Sequence, residues 1–394
     1  MVLINIKGED VNMKKQKVLI IGYDGYIGFP LTMRLLLQDH AVYGIDDFSR
    51  RKAVAEMNSM SASTIHSPER RRELLYRIGK FQHYGFNTLF QKDQITKLIK
   101  RFKFDTIINL AHNPSAPYSQ IDKAHAEYVL QNNILTTNSL LWDIHEHSPE
   151  SHYITIGSTG EYNHYLNIDI EEGYFEFEHK GRQSKKCLFP REGNSIYHNS
   201  KIASTYLIDY LSKLWNLKCT DVMQSVVFGM YTDESDRYKE FTRVDSDDAF
   251  GTVINRFVVQ SMLGESMTIY GHGKHQRGFI ALNDSIQALV IAVENPAQKG
   301  SVQTWNQLSE WHSMEAVSEM VKEVIPNANA INIDSPRHEF TGGHHYHYVS
   351  EKLKDLGYKP TRSIKQEIQY MVDNIDLSKK TQVLKSVIKP KVIF

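Results

Sequence analysis

Tyr197 and Lys201 form a Tyr-x-x-x-Lys pair in the segment YHNSK. Residues four apart lie on one face of a helix, so the two side chains are neighbours if this segment is helical. An ammonium group beside a phenol favours the phenolate and lowers the pKa of the phenol. Tyr197 is therefore predicted to act as a base near neutral pH. Taken alone, the pair also fits an amphipathic helix with a surface lysine.

Ser158 lies in the segment IGSTGEY, directly after the apolar run HYITI. That run predicts a strand, and ligands bind at the carboxyl ends of strands in doubly wound sheets. Ser158 is thus expected to hydrogen-bond a reacting hydroxyl, with Thr159 and Glu161 beside it in a substrate site. The alternative is a Ser/Thr-rich turn that caps a helix.

Three glycines with GxxGxxG spacing, Gly22, Gly25 and Gly28, separate the apolar run VLII from a predicted helix. The first permits a tight turn, the second lets backbone amides approach a pyrophosphate, and the third allows close packing of helix and strand. The free N–H groups at the start of the helix favour phosphates. This loop, including Asp24, Tyr26 and Ile27, is predicted to bind a dinucleotide. The alternative is a strand, turn and helix without a ligand.

Asp46 ends the second predicted strand. A carboxylate there bonds the ribose 2′-hydroxyl and repels a 2′-phosphate, so NAD is expected rather than NADP. Asp47 is assigned to the same site. Arg50 and Arg51 follow and are assigned to the cofactor site as well, although their charges could blur the preference. Tyr197 and Lys201 are also assigned to cofactor binding.

Alternating apolar strands and helices predict an α/β fold, a Rossmann-type doubly wound parallel sheet with a smaller C-terminal substrate-binding lobe. The predicted strands are Lys17–Ile21, Ala41–Ile45, Asp105–Leu110 and His152–Ile156. Helices are expected over about 26–37, 121–138 and 200–215, and helix with loop over 49–77.

Residues 14–227 are assigned to an NAD-binding domain and 228–394 mainly to the substrate lobe, with some segments returning to the first domain. The alternating segment 167–191, with Gly181 in a turn, predicts a hairpin insertion.

Lys and Arg together number 46, as do Asp and Glu, so no net charge favours nucleic acid or an anionic membrane as partner. The two cysteines form neither a disulfide framework nor a zinc motif, which favours the cytoplasm. No apolar run is long enough to span a membrane, and the N-terminal apolar stretch is too short for a signal peptide. The histidines in HHYH (344–347) lack partners at ligand spacing, so no metal is expected.

The order of glycine loop, acid, Ser158 and Tyr-x-x-x-Lys resembles the extended short-chain dehydrogenase/reductase family, the NAD-dependent epimerases and dehydratases that act on nucleotide sugars. Within it the chain is most similar to the UDP-sulfoquinovose synthases, over roughly residues 17–360. The segments that carry the likeness are YDGYIG (23–28), SAPYSQID (115–122), GEYNHYLNIDIEEGY (160–174), YHNSK (197–201), TDES (232–235), FGTVINRFVVQ (250–260), TIYGHGKHQRGF (268–279) and NQLSE (306–310).

The resemblance implies roles for individual residues. Ser158, Tyr197 and Lys201 match the catalytic set, and His198 matches a histidine that follows the tyrosine. Residues implied to contact the nucleotide sugar are Ser115, Tyr118, Asn255, Arg256, Arg277 and Arg337, the last two in segments that hold the diphosphate.

The chain departs from the resembled enzymes at two places. His112, Asn113 and Pro114 stand where the synthases carry Glu-Gln-Arg, which removes a cation near the sugar and weakens the case for sulfite, an anion. Thr159 and Gly160 stand where 4,6-dehydratases carry an Asp-Glu pair, which disfavours ordinary 4,6-dehydratase chemistry.

The resemblance implies redox-assisted sugar chemistry with NAD. Tyr197 removes the 4-hydroxyl proton of a UDP-hexose while hydride passes from C4 to NAD. The 4-ketone makes the hydrogen on C5 acidic, and loss of the C6 hydroxyl then gives an enone. Sulfite adds to the enone, and hydride returns from the cofactor to the sugar. The alternatives are a nucleotide-sugar epimerase or dehydratase that shares the first step and a non-catalytic NAD-binding regulator. The resemblance also implies a homodimer through helix pairs.

Overall fold

The structure is a computed structural model that describes residues 14–336 and 347–392. Its strands, in chain order, are β1 Lys17–Ile21, β2 Ala41–Ile45, β3 Phe81–Tyr84, β4 Thr106–Asn109, β5 His152–Ser158, β6 Tyr174–Phe175, β7 Glu178–His179, β8 Arg182–Gln183, β9 Cys187–Leu188, β10 Lys218–Gln224, β11 Val226–Phe228, β12 Met267–Tyr270, β13 Gln276–Ala281, β14 Ser301–Gln307, β15 Glu310–Ser313 and β16 Ala330–Ile333. Its helices are α1 Gly28–Leu37, α2 Ser49–Glu56, α3 Pro68–Ile78, α4 Lys92–Phe102, α5 Lys123–Leu130, α6 Thr136–His147, α7 Ile196–Trp215, α8 Asp233–Tyr238, α9 Val253–Met262, α10 Leu282–Glu294, α11 Met314–Val324, α12 Lys352–Asp355, α13 Ile364–Asn374 and α14 Thr381–Val387.

Seven parallel strands form the central sheet in the order β14-β10-β5-β4-β1-β2-β3. The chain moves outward from β1 in one direction through β2 and β3 and in the other through β4 and β5. The strand order therefore reverses between β1 and β4, and ligands bind at that crevice in such sheets. The predicted Rossmann-type α/β fold is confirmed.

Both faces of the sheet are covered, as the apolar residues of its central strands require. Val18 and Ile20 of β1 contribute to a core shared with α1, α3 and α10. Leu19 and Ile21 point to the other face, into a core shared with α4, α6 and α7. The helix predicted over 121–138 is divided into α5, a π-helical turn at Gln131–Leu135, and α6. Single π turns inside helices often occur at functional sites.

A second lobe packs over the carboxyl edge of the sheet. It contains the three-stranded sheet β11-β13-β15, the pair β12-β16, and an apolar core to which α9, α11, α13 and α14 contribute. The predicted insertion forms two short antiparallel pairs, β6-β9 and β7-β8, with Lys180 and Gly181 at positive φ in the tight turn. The boundary at residues 227 and 228 stays a prediction. No helix in the described ranges combines the length and the apolar character needed to cross a membrane.

Candidate active site

A cavity of about 510 Å³ lies between the carboxyl ends of the central strands and the second lobe. It brings together most of the residues that the sequence pointed to, from both the dinucleotide and the substrate groups. Those that line it are Gly22, Asp24, Gly25, Tyr26, Ile27, Gly28, Asp46, Asp47, Arg50, Ser115, Ser158, Thr159, Tyr197, His198, Lys201, Asn255, Arg256 and Arg277.

The glycine loop between β1 and α1 is too tight for side chains. Gly22 has φ of +91°, and a Cβ there would lie 2.8 Å from the carbonyl carbon of Leu110. A Cβ on Gly28 would lie 2.0 Å from the carbonyl oxygen of Gly22. The loop therefore brings bare backbone and the first turn of α1 to the cavity wall, which is the arrangement that a pyrophosphate needs. These residues fit a dinucleotide.

Asp46 follows β2 and borders the same part of the cavity. One carboxylate oxygen accepts the backbone N–H of Asp24 and the other accepts that of Phe48, both at 2.8 Å. Burial, with a smaller contribution from the negative charge of Asp24, raises the pKa of Asp46 to about 7. The carboxylate thus organises the glycine loop as well as facing the site.

Arg50 and Arg51, which the sequence left as possible rivals to Asp46, already have carboxylate partners. Arg50 Nη2 lies 2.8 Å from Asp245 and its guanidinium is 3.8 Å from the centre of the Phe250 ring. Arg51 Nε lies 2.6 Å from Asp24 and is not among the residues that line the cavity. Both charges are compensated, which favours NAD over NADP.

Ser158 is the last residue of β5 and caps a short 3₁₀ turn. Its Oγ accepts the N–H of Gly160 at 3.1 Å, and its own N–H donates to Glu161 Oε1 at 2.7 Å. Glu161 is fully buried behind the serine and does not line the cavity, so the structure does not support its predicted contact with substrate. Glu161 instead fixes the backbone that carries Ser158.

Tyr197 is the second residue of α7, which begins four residues earlier than expected because Ser195 caps it by accepting the N–H of His198 at 3.1 Å. Burial and the negative charge of Glu161 raise the pKa of Tyr197, while its hydrogen bond with Ser158 acts in the lowering direction. This is opposite to the direction expected from the neighbouring ammonium group.

Lys201 lies one turn further along α7, and its amine is bound to other groups. Its Nζ donates to the carbonyl oxygen of Ile156 and lies 2.8 Å from His112 Nδ1. Burial lowers the pKa of Lys201 to about 8, against the raising effect of Glu161 and Asp221.

His198 lies beside Tyr197, with 4.8 Å between the ring centres. Its Nδ1 is 2.8 Å from Ser195 Oγ. Its Nε2 lies against the backbone of Gly160, where an added Cβ would approach it to 2.4 Å. The absence of a side chain at Gly160 therefore makes room for the imidazole.

The second lobe supplies the other end of the cavity. Arg256 is 4% exposed; its Nη1 and Nη2 donate to Tyr270 and to the carbonyl oxygen of Thr268, while its buried Nε has no partner among the described residues. Arg277 lines the same end, and Asn255 accepts the N–H of Gly229 at 2.9 Å. Arg337 lies outside the described residues.

The SAPYS segment meets the cavity less directly than expected. Ser115 donates its hydroxyl to the carbonyl oxygen of Ala249. Tyr118 lies outside the lining and donates to Glu56 Oε2 at 2.8 Å, so its predicted substrate contact is not supported. Pro114 borders the cavity, without a charge.

Sequence reasoning missed several lining residues, among them Arg243, Asp245, Phe250 and Asn132. The run TRVDSDDAF reads as an exposed acidic loop, yet Asp245 is buried because Arg50 and Arg243 both donate to it. Asn132 lies in the π turn, which hydrophobic periodicity does not reveal. No group of three or more His, Cys, Asp or Glu residues in the described part of the chain is arranged to hold a metal ion, and His344 and His345 lie outside that part.

Relatives cover most of the chain. UDP-sulfoquinovose synthase from Sulfolobus acidocaldarius is 33% identical over 390 residues, which are 95% of this chain and 96% of the relative. The chloroplastic UDP-sulfoquinovose synthase of Spinacia oleracea is 33% identical over 88% of this chain and 72% of its own length. Among solved structures, UDP-glucuronic acid 4-epimerase from Bacillus cereus, in complex with UDP-glucuronic acid and NAD, superposes with a TM-score of 0.66 at 21% identity, covering 91% of this chain and 98% of the epimerase.

The model of the NAD-dependent epimerase/dehydratase family matches residues 18–306. That range runs from β1 into β14, so it includes the glycine loop, Asp46, Ser158, Tyr197 and Lys201. The chain is therefore an enzyme of the NAD-dependent epimerase/dehydratase family, with NAD as its cofactor.

Proposed function

We propose that this enzyme modifies a nucleotide sugar by the chemistry of the UDP-sulfoquinovose synthases, converting a UDP-hexose and sulfite into a UDP-sulfosugar. The observation that carries the proposal is the single cavity in which Ser158, Tyr197 and Lys201 lie between the glycine loop and Arg256. Identity of 33% to two such synthases along most of the chain supports this reaction over others in the family.

The second lobe would bind the nucleotide diphosphate. Arg256 presents a buried Nε that has no partner in the described part of the chain, and a buried unpaired guanidinium N–H favours an anionic ligand. Arg277 adds a second guanidinium on the same side. Together they would hold phosphate oxygens while the sugar extends toward Tyr197.

At the sugar, Tyr197 would take the proton of the 4-hydroxyl, with Ser158 hydrogen-bonding the same oxygen. NAD, when bound, takes up hydride from carbon and can return it. The phenolate that Tyr197 needs is disfavoured by burial in the chain alone. The positive charge of Lys201 must therefore be maintained beside it.

His198 is our assignment for the base at C5. If its Nδ1 hydrogen is donated to Ser195 Oγ at 2.8 Å, Nε2 is the basic nitrogen, and it faces the space over Gly160 next to Tyr197. Glu161 cannot serve, because its carboxylate is fully buried and bonded to the backbone of Ser158.

Sulfite would enter near Pro114, where the side chain carries no charge. His112, two residues earlier, does not replace the missing cation, because burial and the charge of Lys201 hold its pKa well below the usual range. His112 therefore contributes no charge near neutrality, and we expect sulfite to be bound by backbone amides near Ser115 and by His198 once its Nε2 has taken the C5 proton.

The deciding experiment incubates the enzyme with UDP-glucose, with and without sulfite, and measures product masses. We expect a sulfonated nucleotide sugar from the wild type and stronger use of sulfite by Pro114→Arg. Tyr197→Phe is the matched control: NAD should still bind, and turnover should fall by about 10²–10⁴. Turnover without sulfonate in the wild type and in Pro114→Arg would instead assign an epimerase or dehydratase. Binding of NAD without turnover of any UDP-hexose would favour the regulator.

We also propose a homodimer in the cytoplasm. An exposed apolar face runs along α6 and α7 and includes Trp142, Tyr206, Tyr210 and Leu214, the last three spaced by one helical turn. A second copy would cover this face by pairing the same two helices. Sedimentation of wild type and Tyr210→Glu tests the dimer, because a carboxylate in the interface should yield monomers.

The proposed cytoplasmic location rests on the cysteines. Both are free thiols, which suits a reducing compartment.

A further inference from the structure

His112 follows β4 at its carboxyl end and lies between two polar groups on the cavity wall. Its Nδ1 is 2.8 Å from Lys201 Nζ, and its Nε2 is 2.9 Å from Thr137 Oγ1. The ring is half-buried and lines the same cavity as Tyr197.

The donors and acceptors fix the state of the ring. When Lys201 is charged, its ammonium group can only donate, so Nδ1 accepts from Lys201 and Nε2 carries the ring hydrogen. Asn109 Nδ2 also lies 3.2 Å from Nε2, and in this state of the ring it donates to Tyr153 Oη at 3.1 Å instead. The Nε2 hydrogen is donated to Thr137 Oγ1, and the Thr137 hydroxyl in turn donates its hydrogen to the carbonyl oxygen of Asn133 at 2.9 Å. His112 is therefore a neutral acceptor in a fixed orientation. Lys201 uses a second N–H on the carbonyl oxygen of Ile156, so at most one remains for a group in the cavity.

The charge on Lys201 depends on few neighbours. Burial lowers its pKa to about 8, and Glu161 and Asp221, from the turn after β5 and from β10, oppose that effect. Arg191 compensates part of their charge, since its Nη1 lies 3.7 Å from Glu161. Tyr197 lies on the same helix and would be anionic only during reaction.

We propose that His112 is a positioning residue for Lys201, holding the amine against the cavity wall and keeping it protonated at neutral pH. A hydrogen bond accepted from an ammonium group favours its charged form. Its consequence for catalysis rests on the proposed function, because a protonated Lys201 is what would stabilise the Tyr197 phenolate. The charge of Lys201 is a property of the chain itself and can be measured without any sugar.

The test measures acetylation of Lys201 by acetic anhydride as a function of pH, with the modified peptide quantified by mass spectrometry. Three variants separate the contacts. His112→Asn keeps an oxygen near the place of Nδ1 and loses the contact with Thr137. His112→Gln does the reverse. His112→Glu places a negative charge beside the amine.

We expect the apparent pKa of Lys201 to fall by about one unit or more in His112→Gln, to stay near the wild-type value in His112→Asn, and to rise by a similar amount in His112→Glu. Turnover should fall on the alkaline side as Lys201 loses its proton. This fall should begin at a lower pH than in the wild type for His112→Gln and at a higher pH for His112→Glu. NAD binding and thermal melting of His112→Asn establish that the site remains folded. A Lys201 titration that is the same in the Gln and Glu variants would overturn the proposal.

Discussion

At the scale of single residues, the chemistry depends on groups whose charge is set by burial. Lys201, Tyr197 and Asp46 all have pKa values moved toward their uncharged forms, since each is enclosed by the cavity wall. The sequence identified all three because motif spacing reports which side chains share a site. Motif spacing could not report the charge of these side chains, because the neighbours that influence it, such as Glu161, Asp221 and His112, come from other segments of the chain.

Asp46 yields a prediction on cofactor choice. Its carboxylate should repel the 2′-phosphate of NADP, and with its pKa raised to about 7 it gains a proton as the pH falls through that value. We expect the ratio of the NADP Kd to the NAD Kd to be largest above neutrality and to fall by roughly tenfold in Asp46→Ala, the scale of one charged contact. Calorimetric titration with both cofactors measures it.

Asp46→Asn is the matched control for this titration, because it keeps an oxygen that can accept from Asp24 or Phe48 without the charge. It should show low discrimination at every pH and so separate the titration of Asp46 from that of the phosphate itself. Wild-type discrimination retained in Asp46→Ala would remove this residue from the role.

At the scale of elements, strands with uniformly apolar sequence were predictable and strands with mixed sequence were not. β1 and β2 were found residue for residue, since VLII and AVYGI can only be buried. β10 and β14 were missed, because KCTDVMQ and SVQTWNQ bury polar side chains that find partners only after folding. Asp221 in β10 is an example, accepting from Thr205 on α7 at 3.0 Å. The site predicted from the sequence likewise lacked residues such as Asp245, whose burial depends on pairing with arginines from other segments.

The 3₁₀ turn after β5 and the start of α7 are packed too closely for a side chain at Gly160. Gly160→Ala would place Cβ 2.4 Å from His198 Nε2, so the imidazole must move. We expect turnover to fall by about 10- to 100-fold, the low end of what a positioned acid or base contributes, with NAD binding unchanged. Steady-state kinetics and NAD titration measure both.

Gly181→Ala serves as the comparison at another glycine. Gly181 lies at the hairpin tip with φ of +71° and no atom within 4 Å of an added Cβ. It should lose about 1 kcal/mol of stability from backbone strain and no activity. Equal activity losses in both variants would mean that His198 is not the reason for Gly160.

At the scale of the whole molecule, buried charges behind the active site link folding to pH. Thr205 Oγ1 lies 3.0 Å from both Glu161 Oε2 and Asp221 Oδ2, and one hydroxyl hydrogen serves one carboxylate. The second contact is a hydrogen bond only if one carboxyl is protonated. Burial accordingly raises the pKa values of Glu161 and Asp221, despite the nearby guanidinium of Arg191.

A carboxyl group whose pKa is higher in the folded than in the unfolded chain stabilises the fold at low pH and loses that stabilisation as the pH rises through its folded value. The free energy of unfolding should therefore include a contribution that declines by about 1–2 kcal/mol between about pH 5 and pH 8. Asp221→Asn, which supplies a permanent donor to Thr205, should flatten this decline. Asp39→Asn, at a carboxylate whose side chain is 82% exposed, should leave it unchanged, as urea melts across the pH range would record.

The position of β14 in the central sheet has a consequence for how the polypeptide is made. Residues 301–307 pair along the whole length of β10, so the NAD-binding sheet is completed by a strand synthesised after most of the second lobe. Until it emerges from the ribosome, β10 presents an open strand edge, which is prone to pair with other chains. The central sheet and the second lobe must therefore fold together. Expression of residues 14–227 alone should give an aggregating fragment rather than a cofactor-binding unit.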